Sequence, residues 1–401
     1  MTQSVVVVCM QGVGHLQALL PVIESLRARG RTVHVLTHAD FRTKVERAGA
    51  CFVDLFARRP IERADATSIP VPSRFVSFAG VYADSLVEEV AALAPALIVY
   101  DTFSVVGPVI ARRLGIPYVN VCPNHAPVPS RVIAALHEDP RVAISDECWA
   151  AVKRLQEVHG ISNASPFLYA EALSPFLNLY PEPEEFLDEK DHAAFEPMAF
   201  FGSIAPTLQP VSTIAVFPRP RRKLRIYVAF GTVVWWYFEA VARAALSAVA
   251  DTCADLDVDV VIGLGGHRLD AATRAALLRP NVQVFEYADQ WAALREADVF
   301  VTHNGLNSTH EAIFHEVPMI SYPLFSDQPA LARRCQDLGL AVPLVSVPGA
   351  PVRGDALRAA LRRLTDDRDG FAASLAEARS WELRTIAGRS AVVDRILAVS
   401  R

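Results

Sequence analysis

Three short stretches hold residues whose types and spacing suit chemistry on an anion and a sugar. "HNGLNSTHE", residues 303–311, follows the apolar run "ADVFV". His303 at the end of a strand can donate to a phosphate oxygen, and Gly305 lets a ligand approach the backbone. The free N–H groups and positive end of the helix that follows suit an anion. A second reading stays open: Asn307 or Ser308 as N-cap, with Ser308 and Glu311 forming a capping box. Further on, Asp327 and Gln328 set a carboxylate beside a carboxamide, acceptors and donors for adjacent sugar hydroxyls. They also fit a turn that caps the helix "PALARRC". Upstream, "YADQ" places Tyr287, able to stack on a base, three residues before Gln290.

A fourth candidate lies near the front. In "CMQGVGHLQALLP", His15 ends a glycine-bearing turn after the first apolar run and opens a helix. The positive end of a helix favours neutral imidazole, the form able to take a proton near neutral pH. Asp101 closes "ALIVYD", at the carboxyl end of a parallel strand, where it can orient and support an imidazolium. The competing readings are a helix-start histidine satisfied by backbone and an N-cap aspartate. Other motifs carry less. "QGVGHLQ" lacks the third glycine of a dinucleotide fingerprint. Asp257 and Asp259 in "DLDVD" precede a strand and read as a solvated turn. "VVWWYFEA" either walls a ligand site or starts a core-facing helix. His267, His310 and His315 have no metal-ligand spacing, and no nucleophilic Ser or Cys motif is present.

The elements that position these residues follow from periodicity. "SVVVVCM", "TVHVLT", "CFVDL", "ALIVYD" and "PYVNVC" are buried strands. They alternate with amphipathic helices, the first running from His15 to Arg29 and stopped by Gly30. Residues 124–180 are less regular and mostly helical. "APTLQPVSTIAVFPRPRRK" has linker composition, and its basic run "PRPRRKLR" reads as solvated. A second series begins at "LRIYVAFG" and continues through "DVVIGLG", "VQVFEY" and "VFVTH", with helices between. Such βαβ series predict an α/β fold of two Rossmann-like, doubly wound parallel-sheet domains facing across a cleft, ligands at the carboxyl ends of the strands.

The bulk numbers fit. A chain of 401 residues exceeds one ordinary core. A net charge of −5 gives no reason to expect nucleic acid. The six cysteines are scattered and read as buried thiols in a reducing compartment. The first residues lack a basic n-region, and no run approaches the roughly 18 apolar residues of a membrane span. A cytoplasmic protein without membrane insertion is expected.

Tyr287 to Gln328 together resemble the nucleotide-sugar signature of the UDP-glycosyltransferases. That signature is an aromatic-x-x-Gln element, then H-x-G-x-N-S-x-x-E, then P-L-x-x-D-Q. The nearest branch is the bacterial macrolide and natural-product glycosyltransferases. "LNLYPEPEEF" resembles the segment before their interdomain linker and "VAFGTV" their phosphate-loop strand, so the resemblance covers most of the chain. It implies the GT-B fold and assigns roles. Tyr287 would stack on the base and Gln290 would contact the nucleoside. Thr232, Gly305, Asn307 and Ser308 would hold the diphosphate with His303. Glu311 would bind the ribose, and Asp327 and Gln328 the transferred sugar. His15 matches the family's G-H-x-x-P element, with Ala18 in place of proline, and Asp101 its partner aspartate. Tyr287 stands where Trp is usual, and Asp289 where Pro is common.

The resulting expectation is a metal-independent inverting glycosyltransferase without a cofactor. His15, assisted by Asp101, would deprotonate a hydroxyl of a small lipophilic acceptor. Phe103, Ser104 and residues 124–170 would shape the acceptor site. UDP-glucose is the favoured donor and a dTDP-deoxysugar the other. A nucleotide-sugar epimerase and a non-catalytic sugar-nucleotide-binding protein are the alternatives. Domains are expected at 1–205 (acceptor), 206–222 (linker) and 223–380 (donor). A helix over 381–401 would pack back towards the first domain, in a monomer or homodimer.

Overall fold

The structure is a computed structural model and describes residues 4–205, 216–218 and 221–400. Of the expected linker, residues 206–215 and 219–220 lie outside the described residues. The chain divides into two compact units, Met1–Leu208 with Thr385–Arg401, and Gln209–Arg384.

The first unit is built on strands β1 (Ser4–Val8), β2 (Thr32–Thr37), β3 (Cys51–Asp54), β4 (Pro95–Asp101), β5 (Tyr118–Val121), β6 (Asn178–Tyr180) and β7 (Met198–Phe200). They pair in parallel in the order β3-β2-β1-β4-β5-β6-β7. The four valines Val5 to Val8 are at most 2% exposed, as a parallel strand covered on both faces requires. Strand order reverses between β1 and β4, which lie side by side with Val8 opposite Tyr100. Such a switch point opens the crevice where doubly wound sheets bind ligands, and both His15 and Asp101 stand there. The first helix, Val13–Ala28, buries Leu16, Leu19, Leu20, Ile23 and Leu26. It begins two residues before the expected start, so His15 falls within its first turn.

The second unit carries β8 (Leu224–Ala229), β9 (Val258–Gly263), β10 (Val282–Phe285), β11 (Val299–Thr302), β12 (Met319–Ser321) and β13 (Ala341–Pro343). All pair in parallel, in the order β10-β9-β8-β11-β12-β13. Its switch point lies between β8 and β11, where Ala229 faces Thr302.

Two expectations need correction. The basic run is solvated only in part: Arg221, Arg222 and Lys223 are exposed, yet Arg221 donates to Asp298 at 2.6 Å and the Arg222 amide to Asp259 at 3.0 Å, while Arg225 is buried and donates to Glu296 at 2.9 Å. Asp259 is itself buried. The two dismissed charged motifs therefore neutralise each other at the amino ends of β8 and β9. Of the six free cysteines five are buried, but Cys51 is exposed because β3 is an edge strand.

One helix, Arg368–Val399, contributes to both units. In the second, Arg379 donates to Phe314 O at 2.9 Å, and Glu382 bonds His310, both side chains fully buried. In the first, Arg389 donates to Phe201 O at 2.7 Å and Gly202 O at 3.0 Å. Val393, Ile396 and Leu397 join the apolar layer formed by β1, β2, β4, β5 and the first helix. Among the described residues no helix is long and apolar enough to cross a membrane.

Candidate functional site

In the first unit, the carboxyl ends of β1 and β4 bring together residues 86 positions apart. His15 Nδ1 lies 3.0 Å from Asp101 Oδ1. Asp101 is fully buried, and its carboxylate also accepts from the Phe103 amide (3.0 Å), the Met10 amide (3.1 Å) and the Ser104 hydroxyl (2.5 Å). Burial alone would raise its pKa; attraction to His15 and these hydrogen bonds outweigh burial and hold it below the usual carboxylate range. An ionised carboxylate only accepts, so Nδ1 bears a proton, and in the neutral form of the ring the lone pair falls on Nε2. That is the tautomer a general base needs. The His15 side chain keeps 21% of its surface exposed.

Phe103 tilts against the His15 ring at 4.7 Å between centroids, and Tyr169 and Phe75 pack on it at 5.3 and 6.4 Å. Phe75 and Tyr169 were not singled out in the sequence, since nothing local ties them to position 103. Ser104 departs from its expected place. It is buried with its hydroxyl on Asp101, so it supports the carboxylate and offers no surface to an acceptor.

In the second unit, His303 follows β11 and its ring fits between two glycines. A Cβ on Gly231 would stand 2.7 Å from His303 Nε2, and one on Gly305 would collide with the same atom. Burial lowers the His303 pKa to about 4, against an opposing hydrogen bond at the Ala229 backbone, so the ring is a neutral donor. Asn304, which sequence reading passed over, turns the chain with φ +57°, a conformation Asn tolerates better than most residues. Gly305 is then the N-cap of helix Leu306–Phe314, with no side-chain cap. The capping-box reading fails for this reason. Ser308 and Glu311 lie inside the helix, and Glu311 instead accepts from Gln290 Nε2 at 2.7 Å. Gln290 also reaches Ser308 Oγ at 3.2 Å. Asp289, where the family prefers proline, is the N-cap of Gln290–Glu296, accepting from the Ala292 amide at 3.1 Å.

Thr232, half-buried, follows Gly231 after β8. Asn307 sits in the first turn of Leu306–Phe314. Tyr287, beyond β10, is 73% exposed, an open aromatic face. Asp327 makes no side-chain cap to helix Gln328–Asp337. Gln328 Oε1 accepts from the Leu324 and Phe325 amides at 3.0 and 3.3 Å, which closes the turn between them. The aromatic run divides: Trp235 is buried, Trp236 and Tyr237 are exposed, and Phe238 stacks on Phe325 at 5.0 Å. Among the described residues no three His, Cys, Asp or Glu side chains form a metal-type group.

Two doubly wound parallel sheets, each with polar residues gathered at its switch point, make up the GT-B fold. A glycosyltransferase of kitacinnamycin shares the fold over 100% of both chains, with a TM-score of 0.77 at 23% identity. Residues 224–369 match the family described as UDP-glucoronosyl and UDP-glucosyl transferase. Oleandomycin glycosyltransferase of Streptomyces antibioticus is 26% identical over 88% of this chain and 81% of its own. Demethyllactenocin mycarosyltransferase of Streptomyces fradiae is 27% identical over 88% and 78%. The family match thus falls within the second unit, and most of the chain is similar to bacterial natural-product glycosyltransferases.

Proposed function

We propose that this enzyme moves a sugar from a nucleoside diphosphate donor to a hydroxyl of a small lipophilic natural-product acceptor, with inversion. The observation that carries the reading is the His15–Asp101 pair: a part-exposed imidazole whose Nδ1 is held at 3.0 Å by a buried carboxylate. Nε2 takes the hydroxyl proton as the oxygen attacks the anomeric carbon, and Asp101 stabilises the imidazolium. The nucleoside diphosphate leaves from the opposite side, so an α-linked donor gives a β-glycoside. Leaving-group charge is met by the amides and dipole of helix Leu306–Phe314, with Gly305, Asn307, Ser308, Thr232 and His303 around it. Tyr287 faces the base, Gln290 and Glu311 the nucleoside, and Asp327 and Gln328 the sugar. UDP-glucose is the favoured donor, on the likeness of Asp327-Gln328 to the family's glucose pair, with a dTDP-deoxysugar as the other choice. Phe103 and its aromatic neighbours supply an apolar wall for the acceptor.

The test is nucleoside diphosphate release with and without a hydroxylated aglycone, in wild type and His15→Ala. Acceptor-dependent release that the substitution abolishes supports the reading. Acceptor-independent isomerisation of the sugar points to an epimerase, and equal release by both proteins removes His15 as base.

A further inference from the structure

β9 ends at the same edge of the second sheet, and none of the roles above uses the loop that follows it, residues 264–270. In the sheet β9 lies between β8, which leads to Thr232, and β10, which leads to Tyr287. Gly265 and Gly266 turn the loop with φ +63° and +94°. A Cβ on Gly265 would stand 2.6 Å from Gly231 O and 3.3 Å from Thr232 Cγ2, so this loop rests directly on the loop that carries Thr232.

The next residue is His267. Its imidazole lies flat on the indole of Trp235, 4.5 Å between centroids and 2° between planes. Trp235 is 5% exposed and its buried Nε1 has no hydrogen-bond partner, so the stack rather than a polar bond orients the two rings. Trp235 also follows Thr232 by only three positions, which fixes the imidazole relative to the same loop. His267 Nε2 stands 3.7 Å from Glu239 Oε1, and its side chain keeps 26% of its surface exposed. The nearby cations already have partners: Arg243 lies on Glu239 and Thr273, and Arg268 on Glu286. An imidazole carries at least one N–H in either protonation state. His267 is thus a part-exposed donor on a rigid aromatic shelf, between the strand loops assigned to base and diphosphate.

We infer that His267 is a further donor-site residue, donating a hydrogen bond to the phosphoryl group nearest the nucleoside. The inference rests on the proposed donor site, and the experiment separates the two. Calorimetric binding of uridine, UMP and UDP, and of thymidine, dTMP and dTDP, is compared in wild type, His267→Phe and His267→Gln. Phenylalanine keeps the stack on Trp235 and removes the donor; glutamine keeps a donor. His267→Phe should weaken the mono- and diphosphates about tenfold, the cost of one charge-assisted hydrogen bond. It should leave the nucleosides unchanged, and His267→Gln should largely restore affinity. In turnover, donor KM should rise with kcat little altered. Equal weakening of nucleosides and nucleotides, or unchanged UDP and dTDP affinity in a folded His267→Phe protein, overturns the inference. If wild type binds neither diphosphate, the donor-site reading itself fails. Should His267→Phe not fold, the His267→Gln and His267→Ala pair carries the same comparison.

Discussion

The imidazole of His15 rests on the α-carbon of Gly12: a Cβ there would stand 2.8 Å from Cδ2 and 3.2 Å from Cγ. Gly12 has extended backbone at φ −151°, which alanine adopts freely, so a methyl group would displace the ring and not the chain. Gly12→Ala should lower kcat by about 10- to 100-fold, the scale of a misplaced catalytic group. Donor KM and thermal stability should hardly change. Wild-type kcat in this variant would show that the ring position does not matter.

Asp101 makes the stability of the first unit depend on acid pH. Its folded pKa is depressed, so the stabilisation is fully present above the ordinary carboxylate range and is lost as pH falls through and below about 4. Asp101→Asn leaves buried donors without a charged acceptor and should cost about 1–3 kcal/mol at pH 7. Urea midpoints of the two proteins should lie apart at pH 7, and the gap should begin to narrow only as pH falls below about 4. A gap that persists in acid would place the cost elsewhere.

Gln290, Ser308 and Glu311 form one network, with Gln290 bonded to both others. Gln290→Ala and Glu311→Ala should each raise donor KM about tenfold. The double variant should cost less than the product of the two, because each single change already breaks the shared bond. Strict multiplicativity in steady-state kinetics would show that the two act separately.

His303 stays neutral in the fold, with a pKa near 4, and His315 is lowered to about 4 by burial, Arg295 and Arg379. Unfolded histidines bind protons below about 6.5 while these do not, so stability falls as pH drops from 6.5 towards 4. For His303 the slope approaches about 1.4 kcal/mol per pH unit inside that window. Denaturation of His303→Asn should show a shallower loss between pH 7 and pH 5 than wild type. An identical loss would mean that His303 is not kept neutral.

Arg389 joins the long helix to the loop after β7 through Phe201 O, Gly202 O and a guanidinium 5.2 Å from the Phe201 ring. Arg389→Ala should destabilise the first unit by about 1–3 kcal/mol while leaving UDP affinity intact. Calorimetric melting together with UDP titration checks both halves of that statement.

Much of the scaffold was legible because a buried parallel strand needs little beyond its own residues. "TVHVLT" matches β2 over Thr32–Thr37, and "ALIVYD" gives all but the first residue of β4. The three-residue strands β6, β7 and β13 carry too little pattern to stand out from sequence. Site pairs are legible only where the topology dictates them. His15 and Asp101 follow from a switch point, whereas at Glu311 a capping box and a bond to Gln290 fit the same local string, so sequence alone leaves both readings open. The partners of Arg222 and His310 lie on other elements, so neighbouring residues contain no trace of them.

The helix Arg368–Val399 has a consequence for biosynthesis. Val393, Ile396 and Leu397, which cover one face of the first sheet, are translated after every residue of the second unit. A nascent chain therefore carries an amino-terminal half with an unfinished apolar layer throughout that interval. Ribosome-associated chaperones would meet it in that state, and the half made first is the last to be sealed.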